Sequence, residues 1–180
     1  MKTSDLLITS FTQMLKGLSA QLGKAATHGE GNGIAADTLT AARLAPDMFP
    51  LHMQVRFSCH QVNDTVARLS GAPLPLLPEC ANDIAALQAC IAETLAKLEN
   101  ADRDLIDGAD DRMIDLALPN GMTFRLTAAQ LVRDWAIPQF YFHLTTAYAI
   151  LRTQGVPLGK PDYVSHMFAY LKAPAEPAAV

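Results

Sequence analysis

The stretch Leu51-His52-Met53-Gln54-Val55-Arg56-Phe57-Ser58-Cys59-His60-Gln61-Val62-Asn63-Asp64-Thr65-Val66-Ala67-Arg68-Leu69 decides the fold. With Met48 ahead of it, Val55, Cys59, Val62, Val66 and Leu69 recur at spacings of three and four, the signature of one helix face. Phe49, Met53 and Phe57 form a second stripe. Two apolar faces predict a helix buried on two sides, as in a bundle. Pro46-Asp47-Met48-Phe49-Pro50 turns the chain into this helix, Gly71 ends it, and Pro73, Pro75 and Pro78 keep the next stretch extended.

Toward the N-terminus, residues 4–22 carry Leu7, Phe11, Met14, Leu18 and Leu22 at helical spacing. Thr3, Ser4 and Asp5 offer capping oxygens, and Gly23 is the expected stop. A break over 24–44 follows, opening with His28-Gly29-Glu30-Gly31-Asn32-Gly33 and holding a short capped helix from Asp37. Toward the C-terminus, Ile84, Leu87, Ile91, Leu95 and Leu98 predict a third helix over about 79–99, and the acidic stretch 100–111 reads as a loop. Ile114, Leu116 and Leu118 alternate with other residues, and Asn120-Gly121 precedes Met122, Phe124 and Leu126, which predicts a short β-hairpin. Thr127-Ala128-Ala129-Gln130 has capping-box spacing and opens a fourth helix running to about 152, with Gly155 as its stop. A short helix over 162–171 and a flexible Ala/Pro tail, 173–180, complete the chain. The expectation is an all-α fold in one domain, 1–172. Four helices, each about 30 Å long, form a bundle, with a long crossover link between the first two.

Composition narrows the function. Of 180 residues, 50% are apolar and 18% charged, and 14 basic against 18 acidic side chains give a net charge of −4. The basic residues are scattered, which argues against nucleic-acid binding. No apolar run is long enough for a membrane span, and Asp5, Gln13 and Lys16 interrupt any signal-peptide core, so a cytoplasmic protein is expected. Cys59, Cys80 and Cys90 make no CxxC pair and leave one odd, against a disulfide framework. The motifs of dinucleotide-binding, P-loop, zinc-protease and serine-hydrolase sites are absent.

Among the five histidines, His28 and His166 read as surface residues. His52, His60 and His143 fall on the second and fourth helices. His143 shares a stripe with Val132, Ala136, Gln139, Ala147 and Ile150, an apolar face apart from Gln139. His52 and His60 lie about 12 Å apart along their helix and face different sides, so only one of them can join His143. Two histidines and Gln139 are a poor set for zinc or nickel. The favoured reading is a buried histidine hydrogen-bonded to a neighbouring helix, and the alternative is a divalent transition metal on His143 and His60. Pro138 removes one helical hydrogen bond and crowds the carbonyl of Asp134, predicting a kink that exposes backbone near Trp135, Gln139 and His143. Those three, with His60 and His52, are the candidate pocket. Asp102, Asp104, Asp107 and Asp134 do not form a carboxylate pair on one helix face. Cys59 reads as an inert core thiol, and Tyr141, Phe142 and Tyr148 as packing or subunit-contact residues.

Three blocks carry a resemblance: Arg43-Leu44-Ala45-Pro46-Asp47-Met48-Phe49-Pro50-Leu51 with Gln54-Val55, Phe140-Tyr141-Phe142-His143-Leu144-Thr145-Thr146-Ala147-Tyr148-Ala149-Ile150-Leu151-Arg152, and Gly155-Val156-Pro157-Leu158-Gly159-Lys160 with Asp162-Tyr163. On these the chain closely resembles the bacterial family called domain of unknown function nineteen-ninety-three, a branch of the DinB/YfiT-like four-helix bundles. The resemblance implies that bundle with a long first link, frequent dimers, and often a metal held by three histidines, one on the second helix and two at H-x-x-x-H on the fourth. Some members are thiol-dependent transferases or isomerases. His143 matches one fourth-helix ligand, but Ala147 stands four residues later and Gln139 four before. Two functions follow: a homodimeric bundle that binds a small molecule or partner without an intact metal site, or a metal- or thiol-dependent small-molecule transferase or isomerase with His143 in the site as ligand or catalytic acid/base.

Overall fold

The computed structural model describes residues 1–172, so the predicted tail, 173–180, lies outside the described residues. The elements are α1 (Thr3–Asn32), α2 (Ala36–Ala41), α3 (Leu51–Ser70), α4 (Ile84–Glu99), α5 (Arg103–Asp107), β1 (Met113–Ala117), β2 (Thr123–Thr127), α6 (Ala128–Gln130), a π-helical turn (Leu131–Ala136), α7 (Ile137–Thr153), α8 (Lys160–Tyr163) and a 3-10 turn (Ser165–Tyr170). The four long helices make the predicted bundle. α3 packs against α4 and α7, and α1 closes the ring by packing against the same two. Consecutive helices α1 and α3 thus sit on a diagonal, which is why the link between them must be long.

α3 spans the expected residues and stops at Gly71, but its burial differs from expectation. Val55, Cys59, Val62 and Leu69 enter the core, whereas the second buried face is polar: Gln54, Ser58, Gln61 and Thr65. Ser58 Oγ donates to the Gln54 carbonyl at 2.9 Å and Thr65 Oγ1 to the Gln61 carbonyl at 2.6 Å, so these hydroxyls are satisfied along their own helix. The Phe49, Met53 and Phe57 stripe is left half-buried to exposed, with Phe49 57% accessible.

α1 does not stop at Gly23. It runs through the glycine-rich segment to a left-handed cap at Gly33 (φ 66°). Tertiary packing outweighs weak propensity here: Gly29 is buried, and a Cβ there would lie 3.1 Å from Leu39 Cδ1 of α2. The N-terminus of α1 has no local side-chain cap. Instead the Asp107 carboxylate accepts the Ser4 backbone N–H at 2.8 Å and the Ser4 hydroxyl at 3.0 Å. The stretch expected to be a loop supplies this acceptor, because α5, capped by Asp102, turns Asp107 toward α1. These hydrogen bonds hold the Asp107 carboxyl below its usual range. A depressed carboxyl stabilises the fold above its unfolded pKa and loses that effect as pH falls through the folded one. Asp107→Ala is therefore expected to lower the urea midpoint at pH 7 more than at pH 3; equal losses at both would contradict this capping role.

The third helix starts at Ile84 rather than near 79, because Asp83 caps it by accepting the Ala86 N–H at 2.8 Å. The hairpin pairs Ile114 with Leu126 and Leu116 with Phe124. Its loop is Pro119-Asn120-Gly121, with the Gly121 N–H donating to the Leu118 carbonyl at 3.0 Å and Gly121 at φ 86°. The Thr127–Gln130 capping box forms as expected. Where Pro138 predicts a kink, the backbone widens into the π turn, and the Ile137 N–H reaches the Val132 carbonyl five residues back. Pro138 then sits in the first turn of α7, where its missing N–H is tolerated. The short terminal helix divides into α8 and the 3-10 turn, both packed on α1.

Candidate functional site

Gln54 is a polar residue on the buried face of α3, and its amide is held at both ends. Nε2 donates to the Phe49 carbonyl at 3.0 Å, which leaves Oε1 facing His143 Nδ1 of α7 at 2.8 Å. An amide oxygen only accepts, so Nδ1 carries the proton and Nε2 keeps its lone pair. Aromatic rings surround the imidazole, with Phe57 at 5.0 Å and Phe142 at 5.4 Å between centroids; Phe49 extends the set, 5.0 Å from Phe57. Phe142 remains 56% exposed, so the cluster opens to the surface between α3 and α7. Burial lowers the His143 pKa to about 4, which keeps the ring neutral at physiological pH.

The structure sends the other sequence candidates elsewhere. Ala147 is buried as a methyl group, and Gln139 is half-buried with no hydrogen-bond partner among the described residues. His52 Nδ1 lies 3.0 Å from the Thr40 carbonyl of α2. His60 Nδ1 is buried without a hydrogen-bond partner. Trp135 lines a separate groove of about 400 Å³ between the hairpin and the π turn, with Leu116, Phe124 and Gln130. His28 and His166, expected at the surface, are half-buried: His28 meets Asn32 Nδ2 at 3.3 Å, and His166 Nδ1 is buried without a partner. Asp134 pairs with its neighbour Arg133 at 2.6 Å.

A three-histidine metal site does not fit these residues. His143 is the one imidazole here: α3 faces it with the Gln54 amide, and the fourth helix has only an amide at 139 or a methyl group at 147 for its second ligand, so two of the three nitrogens are unsupplied. Among the described residues, no group of three or more His, Cys, Asp or Glu side chains is arranged to hold a metal ion. No described helix is long and apolar enough to cross a membrane.

Two features were missed from the sequence. Gln54 carried no signal beyond being a polar residue next to an apolar stripe. The cysteines, far apart in sequence, are brought to one region: Cys90 of α4 and Cys80 of the connecting segment line one cavity, and Cys59 of α3 is buried in the core. The neighbouring Cys90 thiol and burial push the Cys59 thiol up, and the neighbouring Cys59 draws Cys90 down. Burial also raises Cys80.

Four long helices with a diagonal crossover, and a hairpin ahead of α7, make a DinB-like bundle. Consistent with this, the crystal structure of a DinB family member protein from Shewanella denitrificans matches with a TM-score of 0.78 and 35% identity, over 97% of this chain and 94% of that one. Residues 4–164 match the model of the family Domain of unknown function (DUF1993), and the chain belongs to that family. No curated protein matches it.

Proposed function

We propose that the protein is a homodimeric binding protein that holds a small apolar molecule against His143 without a metal ion. The observation that carries this reading is the His143–Gln54 pair. It leaves a neutral imidazole with a free Nε2 acceptor, inside an aromatic cluster that opens to solvent. Such a site accepts one hydrogen bond from an O–H or N–H group and packs rings around the rest of the ligand. The exposed Phe49 and Phe142 are more apolar surface than a monomer gains by showing, and a second copy covers them and closes the site. The transferase or isomerase alternative needs His143 as a base. An imidazole whose conjugate acid has a pKa of about 4 takes up protons poorly at neutral pH, which favours binding over catalysis.

The test combines three measurements on the purified protein. Sedimentation equilibrium at micromolar concentration is expected to give the mass of two 19.4 kDa chains. Elemental analysis is expected to find less than a tenth of an equivalent (roughly the background of a non-site) of any transition metal. Calorimetry with p-cresol as probe is expected to show binding that His143→Ala abolishes. One equivalent of zinc or nickel per chain would overturn the reading in favour of the enzyme, and a monomer mass would overturn its dimeric part.

A further inference from the structure

The hairpin, away from His143, leaves one of its edges unpaired. The Leu118 N–H donates to the Met122 carbonyl at 2.8 Å and the Ala128 N–H to the Arg112 carbonyl at 2.9 Å, which fixes the phase of the ladder between them. Phe124 and Leu126 therefore turn their backbone N–H and C=O groups toward β1, and Thr123, Arg125 and Thr127 turn theirs away. The Thr127 N–H is taken by Gln130 Oε1 at 2.9 Å. The backbone groups of Thr123 and Arg125 have no hydrogen-bond partner among the described residues, and both residues are exposed. Side chains alternate across the same strand. Ile114 and Leu116 are buried, so their partners Leu126 and Phe124 face the bundle, yet Phe124 is 48% exposed where the groove of about 400 Å³ beside Trp135 opens. Arg125 stands on the opposite face. Its Nε reaches Asp115 only at 3.9 Å, and 71% of its side chain is exposed.

We propose that β2 is a docking edge for an extended peptide in which an acidic residue stands between two apolar ones. Added antiparallel to β2, such a segment sets its acidic residue opposite Arg125 and exchanges two backbone hydrogen bonds where the strand now makes none. Alternation then sends the flanking apolar side chains to the bundle side, opposite Phe124 and Leu126, where Trp135 and Leu116 line the groove. On the outer face the peptide carboxylate meets the Arg125 guanidinium, an opposite-charge pair directly across two strands. Three features thus specify one ligand at consecutive positions. The unpaired edge calls for a strand, the groove for apolar side chains on its inner face, and Arg125 for a carboxylate on its outer face. A compact small molecule would fill the groove and leave the edge and Arg125 unmatched. The register is continuous over its five pairs and β2 holds no proline, so the edge lacks the bulge or proline that commonly bars strand addition.

Trp135 is the only tryptophan of the chain, so its emission reports on the groove directly. The full chain is titrated with acetyl-Thr-Phe-Glu-Val-Thr-amide, a probe without tryptophan. A blue shift of the Trp135 emission that saturates at micromolar peptide is expected. A methyl group on the glutamate backbone nitrogen of the probe removes the donor to the Arg125 carbonyl and is expected to weaken binding about tenfold or more. Arg125→Glu is expected to reverse the preference, binding the probe with lysine in place of glutamate better than the parent. In Thr123→Pro the replaced N–H already points outward, so the hairpin is expected to persist while the peptide is lost. The proposal is overturned by an unchanged Trp135 emission at millimolar peptide, by equal binding of the methylated probe, or by an unaltered preference in Arg125→Glu. A wild-type mass that falls by half in Thr123→Pro would put a second copy of the chain on this edge and overturn it as well. The parent and methylated probes are both read on the wild-type chain, so a variant that folds poorly leaves the test intact.

Discussion

Phe140→Ala is expected to destabilise the fold by about 3–5 kcal/mol, the usual cost of deleting a fully buried aromatic side chain. Phe140 has no accessible surface, and its ring lies 4.6 Å from the equally buried Phe11, joining α7 to α1 at the centre of the bundle. It also stands two residues after Pro138, in the first turn of α7 where the helix leaves the π turn. Phe11→Ala should cost a similar amount. The double variant should lose less than the sum of the singles by about 0.5–1.5 kcal/mol, the worth of the ring pair itself. Urea unfolding followed by circular dichroism measures all three. A loss below about 1 kcal/mol for Phe140→Ala would mean that α1 and α7 do not meet through these rings.

The second large effect is at Gln54. Gln54→Ala leaves the His143 Nδ1–H and the Phe49 carbonyl without their partners in a site where Gln54 itself is only 2% exposed. The expected loss is about 2–3 kcal/mol, from two unmade hydrogen bonds and the volume removed. His143→Ala should cost less, about 1–2 kcal/mol, because solvent reaches this half-buried position and can take over the Gln54 oxygen. Gln139→Ala should stay within about 0.5 kcal/mol, since that side chain bonds to nothing described. The order Gln54, His143, Gln139 in thermal unfolding is the expected result. A Gln139 variant as damaging as Gln54→Ala would contradict it.

The elements legible in the sequence are those whose signals are local. The α3 stripe with Gly71, the Thr127 capping box and the Asn120-Gly121 turn each report on a few neighbouring residues, and each appears in the structure. Long-range partners decided what was illegible. Gly23, Gly29 and Gly31 resemble breaks until α2 packs against Gly29, and 100–111 resembles a loop until Ser4 provides a use for Asp107. The buried face of α3 differs for a local reason: back-bonded hydroxyls make Ser58 and Thr65 fit for burial, while Phe49 stays exposed and Phe57 half-buried. At the site, the helical stripe of His143 was readable, but Gln54 is 89 residues away in sequence. Cys80 and Cys90 line one cavity, with the proline-rich segment fastened to α3 through Arg56 and the Pro78 carbonyl.

The His143 imidazole is anchored by the Gln54 amide and held neutral by burial. Its lowered pKa also bears on stability. Above pH 6.5 folded and unfolded chains both carry a neutral ring. As pH falls from 6.5 toward about 4, the unfolded chain binds a proton that the fold resists, and stability is lost. With solvent screening at this half-open site, the total is about 1–2 kcal/mol. The most direct measurement is a long-range proton–nitrogen NMR titration of the histidine rings, with His143 assigned by its absence in His143→Ala. The expected result is an Nδ1–H tautomer that stays neutral down to pH about 4 and is unmoved by an equivalent of zinc. Titration near 6.5, or a shifted Nε2 resonance on adding zinc, would contradict it.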